Sequence, residues 1–252
     1  MIHRHDIPIL EYDDNPRAVI TNDRHDVTLP RRAVFAFLGD PVDAYAASAN
    51  AEVLEVYRTI GRDTNLYRIR YNGEELCLCR APLGASAAVQ LMDFLLGHGV
   101  EQVIAAGSCG ALADIPENAF LLPAKALRDE GTSYHYLPPA RFARTSPRLR
   151  AVMAQVLREH GLSCAECITW TTDGFYRETE AMVAHRREEG CLVVEMECAG
   201  LAACADFRGA EFAQLLYTAD SLADAANYDA RDWGEKSVMP ALQLCLEMAA
   251  RL

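Results

Sequence analysis

Apolar residues follow two alternating patterns along residues 33–252. Short continuous apolar runs are typical of buried strands, and apolar residues spaced three or four apart are typical of helices that bury one face. The predicted strands lie at residues 33–38, 66–71, 75–80, 102–106, 168–171, 192–194 and 212–218, with a further apolar segment at 119–126. The predicted helices lie at residues 42–58, 85–97, 147–160, 178–188, 199–206 and 235–250.

This alternation of strands and helices predicts an α/β domain. Asn72-Gly73 separates two of the predicted strands and favours a type I′ hairpin, which adds at least one antiparallel pair. No repeat, low-complexity stretch or Pro/Gly/Ser-rich linker divides residues 33–252. Residues 1–32 are polar, contain several prolines and show little periodicity. We expect an irregular N-terminal arm followed by one domain, a mixed, mostly parallel sheet flanked by helices.

Composition and charge narrow the classes of function. The 252 residues are 51% hydrophobic and 24% charged, which is typical of a globular protein. No apolar run reaches the roughly 20 residues that a membrane-spanning helix requires. The net charge of -12 opposes binding to nucleic acid and to anionic membranes, so small-molecule partners are favoured. The first residues lack the apolar segment of a signal peptide, and the nine cysteines indicate reduced thiols, so we expect a cytoplasmic protein.

Candidate binding segments lie where predicted strands end, because α/β sheets bind ligands at the carboxyl ends of their strands. Gly39-Asp40-Pro41 precedes a helix, which favours an anion but is equally typical of a tight turn with Asp40 as helix cap. Residues 107–110, Gly-Ser-Cys-Gly, are predicted to form a second turn. Its backbone amides and the Ser108 hydroxyl suit an oxyanion or phosphate.

Acidic and aromatic side chains follow three later strands. The carboxylates of Glu195 and Glu197 could accept hydrogen bonds from a sugar diol, or could simply favour the N-terminus of a helix. Phe175 and Tyr176 could stack on a planar base or pack in the core. Asp220 could be a general acid with a raised pKa or a helix cap. Taken one by one, these residues leave both alternatives open.

Taken in order, these segments resemble the nucleoside phosphorylase family, which includes bacterial purine nucleoside phosphorylase, uridine phosphorylase and the methylthioadenosine nucleosidases. The resemblance spans about residues 33–250 and rests on Gly39-Asp40-Pro41, Gly107-Ser108-Cys109-Gly110, Phe175-Tyr176, Val194-Glu195-Met196-Glu197 and Asp220. It implies a single α/β domain that forms a homo-oligomer, either a dimer or a hexamer built from dimers. It also implies a nucleoside and inorganic phosphate as substrates, with no further cofactor and no metal.

The resemblance also implies roles for matching residues at the nucleoside. The substrate site would contain Phe175, Tyr176, Glu195, Met196 and Glu197. Glu197 would bind the 2′ and 3′ hydroxyls of the ribose, and Phe175 would lie against the base. Asp220 matches the acid that protonates N7 in purine-cleaving members, whereas uridine-cleaving members lack an acid there. A purine is therefore favoured.

The implied phosphate contacts are Gly39, Gly107 and Ser108. Phosphorolytic members carry two arginines at positions that are Asp43 and Ala105 here, so other cations have to replace them. Arg62 lies where a neighbouring subunit's arginine reaches the phosphate in the family. Further candidate cations near predicted strand ends are Arg80, Arg128 and Arg177. The histidine that family members take from a neighbour's arm would be His5 or His25.

Three functions follow from the sequence. The leading hypothesis is a nucleoside phosphorylase that favours purines, with Asp220 as the general acid and Glu197 orienting the ribose. The absence of both arginines favours the alternative of a phosphate-independent nucleosidase, in which Asp43 or Glu195 activates water. The third is a non-catalytic nucleoside-binding or storage relative. The joint presence of Phe175, Glu197 and Asp220 argues against the third.

Overall fold

The structure is a computed structural model that describes residues 1–23 and 26–252. Its strands are β1 (Ile2–His3), β2 (Tyr12–Asp13), β3 (Arg32–Ala36), β4 (Glu52–Tyr57), β5 (Thr64–Tyr71), β6 (Glu74–Arg80), β7 (Gln102–Ala111), β8 (Phe120–Asp129), β9 (Phe142–Arg144), β10 (Ala165–Thr172), β11 (Cys191–Glu195) and β12 (Glu211–Ser221). Its α-helices are α1 (Asp40–Ser48), α2 (Ala85–Gly97), α3 (Pro147–Glu159), α4 (Glu180–Glu188), α5 (Cys198–Arg208) and α6 (Val238–Ala250). Short 3₁₀ helices lie at Pro8–Leu10, Thr132–His135, Phe175–Arg177 and Glu235–Ser237.

The main sheet is mixed and has the strand order β11-β10-β8-β12-β7-β3-β6-β5-β4, with β9 paired to β8. Strands β4, β5 and β6 form an antiparallel meander, and Asn72 and Gly73 join β5 to β6 with φ values of 50° and 85°, as a type I′ turn requires. Strand β11 pairs with β10 and also, antiparallel, with the end of β7. Strands β7, β12, β8, β10 and β11 therefore close into a ring.

Helices cover both faces of this sheet. Helices α1, α3 and α6 pack on one face, where Val42, Met153 and Leu246 are completely buried. Helices α2 and α5 pack on the other, where Leu91 and Leu201 are completely buried. The single α/β domain expected from the sequence is confirmed, because each face of the sheet buries an apolar layer of helices.

One predicted helix is too long. The apolar pattern predicts a helix over residues 42–58, but α1 ends at Ser48 and β4 occupies the second half of that range. Asn50 has a φ of 49°, the left-handed conformation that commonly ends a helix. Strand β4 then pairs with β5 along its length. Pairing with β5 makes these residues a strand, and the spacing of apolar residues within one segment cannot reveal such pairing.

The turn predicted at residues 107–110 is wrong, because the Gly-Ser-Cys-Gly segment lies inside β7. Neither of its glycines has a positive φ. A Cβ atom on Gly110 would instead lie 2.9 Å from Leu222 Cδ1 and 3.0 Å from Val194 Cγ1. Glycine at this position leaves room for the side chains of Leu222 and Val194. Strand β12 is also longer than predicted, and Asp220 lies within it.

The N-terminal arm contains local structure that its sequence pattern did not predict, since β1 and β2 form a small antiparallel sheet. Further along the arm, the Asn22 amide donates to Asp93 Oδ1 at 2.6 Å. The buried Asp93 carboxylate also accepts from Arg208 Nε and from the Tyr136 hydroxyl, both at 2.8 Å. This one carboxylate on α2 therefore ties the arm to α5.

Within the described residues, no helix combines the length and apolar character needed to cross a membrane.

The Asp93 network generates a stability prediction. Asp93→Ala leaves the Arg208 guanidinium partly buried without its carboxylate and leaves Asn22 only its bond to the backbone carbonyl of residue 93, so the free energy of unfolding should fall by about 3 kcal/mol. Urea titration followed by circular dichroism measures this change. Arg31→Ala is the control, since it breaks only the exposed pair with Glu101 and should leave the titration midpoint unchanged. Equal midpoints for the two variants would contradict the structural role of Asp93.

Candidate active site

A cavity of about 190 Å³ opens where the ends of β7, β11 and β12 meet. Seven of the residues singled out from the sequence line it, namely Gly107, Ser108, Phe175, Glu195, Met196, Glu197 and Asp220. They come from four separate segments of the chain. Phe37, Leu83, Glu178 and Trp233 complete much of the wall. Ring closure between β7 and β11 brings these segments to one place.

Glu195 is buried at the end of β11 and is held by the protein itself. Its Oε1 accepts hydrogen bonds from the hydroxyls of Thr171 at 2.5 Å and Thr169 at 3.3 Å. Its Oε2 accepts from the backbone amides of Glu197 and Cys198, both at 2.7 Å. Burial nevertheless raises the pKa of the Glu195 carboxyl. These four bonds fix the start of α5 and thereby the position of Glu197.

Glu197 immediately precedes α5, and its carboxyl is 5% exposed as part of the cavity wall. Its Oε1 accepts a hydrogen bond of 2.6 Å from the backbone amide of Gly84, which precedes α2. Burial, followed by the neighbouring charge of Glu195, raises the pKa of Glu197 to about 8. The cavity therefore contains a carboxyl that holds its proton more tightly than an ordinary glutamate does.

Asp220 is a further buried acid of the same cavity. Burial raises the pKa of its carboxyl, and two neighbours oppose that rise. The Tyr228 hydroxyl donates a hydrogen bond to it, and Arg231 adds a positive charge nearby. Arg231 is itself fixed by a 2.8 Å bond from Nη2 to the Ile115 carbonyl. Tyr228 and Arg231 were not predicted, because the loop after β12 has no periodicity that marks them.

Glu178 is a further acidic residue of this cavity that sequence reasoning missed. It follows the 3₁₀ helix that carries Phe175. Burial, followed by the charge of Asp220, raises the pKa of Glu178 to about 7. Its position three residues after Phe175 was a signal that it could line the site, but the sequence pattern assigned Glu178 to the predicted helix at residues 178–188.

A second cavity, of about 380 Å³, adjoins the first and shares Phe37 and Leu83 with it. It contains Gly39, Arg62 and Arg80. Gly39 has a φ of 69° at the start of α1, and a Cβ there would lie 4.0 Å from Arg80 Nη2. Arg80, one of the candidate cations, thus lies beside the glycine that was predicted to contact phosphate. Arg62 was predicted at the position of a neighbouring subunit's arginine, but it lines this cavity of its own chain.

Asp43 already engages both arginines of this second cavity. Its Oδ2 lies 2.9 Å from Arg62 Nη2 and 3.7 Å from Arg80 Nη1. The Tyr67 hydroxyl donates to Asp43 Oδ1 at 3.0 Å, and Asp40 forms an ion pair with Arg80. Two arginines and two aspartates therefore leave this corner close to neutral.

The remaining predicted residues lie away from the cavity that gathers the acids. Tyr176 is 93% exposed and lines a more open cavity with Tyr228. Arg128 is buried and donates to Ser133 and to the carbonyls of Leu137 and Pro138, so its hydrogen bonds are directed into the protein. His5 Nδ1 accepts from the Ile7 amide on the exposed arm, and His25 lies outside the described residues.

The buried proton on Glu197 generates a pH prediction. The unfolded chain ionises this group near its ordinary pKa of 4.5, whereas the folded protein retains the proton until about pH 8. Its contribution to stability is therefore complete below pH 4.5 and is lost as the pH rises towards 8. Glu197→Gln should make the free energy of unfolding decline less steeply than in the wild type between pH 5 and 8. Urea titrations at several pH values measure the slope, and Glu180→Gln, at an exposed position on α4, is the control. A slope unchanged in Glu197→Gln would contradict the buried proton.

Comparisons with known proteins show the family and the fold of this chain. The family model described as the phosphorylase superfamily matches residues 31–251. The DeoD-type purine nucleoside phosphorylase of Alkaliphilus metalliredigens is 26% identical over 220 residues, which is 84% of this chain and 91% of that protein.

Two solved structures share the fold. The uridine phosphorylase of Vibrio fischeri ES114 has a TM-score of 0.78 at 22% identity and covers 93% of this chain and 99% of its own. The 5′-methylthioadenosine/S-adenosyl homocysteine nucleosidase of Campylobacter jejuni has a TM-score of 0.73 at 19% identity. The match covers 88% of this chain and 100% of the nucleosidase chain. Since the family model covers most of the chain, the resemblance seen in the sequence is confirmed, and this protein belongs to the phosphorylase superfamily.

Proposed function

We propose that this protein cleaves the N-glycosidic bond of purine nucleosides and transfers the ribosyl group to inorganic phosphate. One observation carries the proposal: a single cavity contains Asp220, Glu197 and Ser108, three groups that would face the base, the ribose and the phosphate. The relatives named above include a purine nucleoside phosphorylase and a nucleosidase, so they leave the leaving group and the acceptor of the ribosyl group open. The residues of this chain have to distinguish between the alternatives.

Asp220 supports a purine leaving group. A purine departs from C1′ more readily when N7 is protonated, because the base then leaves as a neutral molecule. Burial raises the pKa of the Asp220 carboxyl, which favours the protonated form that can donate to N7. Phe175, at the same end of the cavity, offers an aromatic ring that can pack against the base.

Glu197 and Glu195 support a ribose with developing positive charge. As the C1′–N9 bond breaks, positive charge spreads over C1′ and the ring oxygen, and carboxyl oxygens around a buried sugar stabilise it. Glu197 would also bind the 2′ and 3′ hydroxyls, with Met196 packed beside it. Glu195 would act indirectly by holding the backbone of Glu197.

Gly39, Ser108, Arg62 and Arg80 support phosphate as the acceptor. A phosphate oxygen would form the new bond to C1′ on the face opposite the base. The C1′–N9 bonding pair would leave with the base, which takes the proton from Asp220. The products are ribose 1-phosphate and free purine. The arginines that the family carries at positions 43 and 105 would thus be replaced by Arg62 and Arg80.

Hydrolysis is the second candidate, and Asp43 is the observation in its favour. Asp43 lies 2.9 Å from Arg62 and 3.7 Å from Arg80, so a phosphate would meet cations whose charge is already balanced. At an effective dielectric near 20, a carboxylate 4 Å from a phosphate charge costs about 4 kcal/mol per unit charge. Phosphorolysis therefore requires the arginines to turn from Asp43 to phosphate, whereas attack by water does not.

The exposed side chains Ile60 and Leu83 lie beside this site, with Leu83 reaching both cavities. Large exposed apolar residues grouped beside a substrate site are typical of surfaces covered by another subunit. A homo-oligomer is therefore part of the proposal.

The role of Asp220 is testable by substitution. Asp220→Asn removes the proton donor but keeps the size of the side chain, so kcat for purine nucleosides should fall by about 10²-fold. A p-nitrophenyl riboside needs no protonated leaving group, and the variant should cleave it at a rate close to that of the wild type. Initial rates measured on both substrates show whether the loss of activity is confined to purine nucleosides. An equal loss on both substrates, or no loss on either, would exclude Asp220 as the acid.

Whether phosphate or water accepts the ribosyl group is testable by omitting phosphate and by substituting Asp43. With phosphate present, the wild type should release base and ribose 1-phosphate, and without phosphate its rate should fall close to zero. Asp43→Asn removes the competing negative charge, so the KM for phosphate should fall by about tenfold. Glu52→Ala, which breaks an exposed pair with Arg68, is the control and should leave that KM unchanged. Release of free ribose at a rate independent of phosphate would instead establish hydrolysis.

A further inference from the structure

Glu178 and Asp220 form a pair of acids at one end of the cavity. Glu178 follows the 3₁₀ helix that carries Phe175, and Asp220 lies near the end of β12. Both residues line the cavity that holds Glu197 and also line the adjoining cavity of about 490 Å³ with Tyr228. The two carboxyl groups are therefore neighbours on the wall that a base would face.

Within the described part of the chain, Glu178 has no hydrogen bond or ion pair that would account for its partial burial; the charge of Asp220 is the interaction it feels. A half-buried carboxyl without a protein partner is left to bind water or a ligand. Asp220, in contrast, receives the Tyr228 hydroxyl and the charge of Arg231. Within the described residues, Glu178 is thus an acid of this wall to which no protein group donates a hydrogen bond.

The pair carries a limited number of protons. Burial raises the pKa of both carboxyls, and the charge of Asp220 adds to the rise at Glu178, whose pKa is about 7. One state of two neighbouring carboxyls holds a single proton, on whichever residue. In that state the pair offers one hydrogen-bond donor and one acceptor. The charged or titratable groups that face the pair are Glu195 at the end of β11, Glu197 just before α5, and Cys109 on β7. Tyr228 and Arg231 face it from the loop after β12.

We propose that Glu178 is a specificity residue that, together with Asp220, selects 6-aminopurine nucleosides over 6-oxopurine nucleosides. The inference rests on the proposed function, because it requires the purine N7 to face Asp220. It goes beyond that function in naming which purine is used and which residue decides.

The chemistry of the purine edge supplies the reason. In a 6-aminopurine, N7 accepts a hydrogen bond and the 6-amino group donates one, which matches a donor and an acceptor on the protein. In a 6-oxopurine, N7 and O6 both accept, so both carboxyls must be protonated to bind them. The second proton is unfavourable near neutral pH because Tyr228 and Arg231 stabilise the ionised form of Asp220. A mismatched carboxylate would face O6 and repel it.

The experiment compares kcat/KM for adenosine and inosine in the wild type, in Glu178→Gln and in the control Glu180→Gln, two residues further on at an exposed position. The wild type should prefer adenosine by about tenfold or more at pH 7. A glutamine amide can donate to O6 as well as accept from an amino group, so Glu178→Gln should reduce that preference to about twofold or less. Glu180→Gln should retain the preference of the wild type.

The pH dependence provides a readout that a purely structural role would not change. The ratio of inosine to adenosine turnover should rise as the pH falls below 7 in the wild type, because the second proton is then available. In Glu178→Gln the same ratio should depend much less on pH. Equal use of both nucleosides by the wild type, or a ratio unaffected by Glu178→Gln, would overturn the inference while leaving nucleoside cleavage intact.

Binding of the free bases separates this inference from the proposed function. Calorimetric titration with adenine and with hypoxanthine should show tighter binding of adenine, and Glu178→Gln should narrow the difference. Preferential binding of adenine without cleavage of any nucleoside would support the role of Glu178 and overturn the proposed function. Failure of the wild type to bind either base would overturn both.

Discussion

The contact between β7 and β11 at Gly110 and Val194 is the constraint on which the site depends. A Cβ on Gly110 would lie 2.9 Å from Leu222 Cδ1 and 3.2 Å from Asp220 Oδ1, so a larger residue there would displace neighbouring side chains, the Asp220 carboxyl among them. Their pairing closes the ring of five strands. Without it, Ser108 on β7, Glu195 on β11 and Asp220 on β12 would lie at the ends of an open sheet.

Ring closure also sets the protonation of the site. It places several carboxyls around one small cavity, where burial disfavours the ionised form of each. Glu195 tolerates this through four hydrogen bonds from protein groups. Glu197 and Asp220 tolerate it by holding protons more tightly, as their raised pKa values indicate. The two roles proposed for these acids, towards the base and towards the sugar, would therefore have the same physical origin.

The corner at Gly39 shows a different balance, because its charges are exposed enough to rearrange. Asp40 is 91% exposed at its side chain and Arg62 is 47% exposed, whereas Glu195, Glu197 and Asp220 in the main cavity are buried. An anion that enters this corner exchanges one set of ion pairs for another, which changes the energy less than moving a buried charge would. In the proposed function, the choice between phosphate and water would therefore fall to exposed side chains that can rearrange.

The sequence by itself determined the fold class, most element positions and most of the candidate site. Burial patterns with periods of two and 3.6 residues are local, and helix α2 therefore appears at Ala85–Gly97, as predicted. Motifs such as Glu195-Met196-Glu197 and Asp220 are local too, and the structure brings them together in one cavity. Tertiary structure alone decided what depends on distant partners. It made residues 107–110 a strand, turned half of a predicted helix into β4, set Arg80 beside Gly39 and brought Glu178 next to Asp220. Each of these depends on pairing or packing between segments far apart in the chain, and no short stretch of sequence records such a contact.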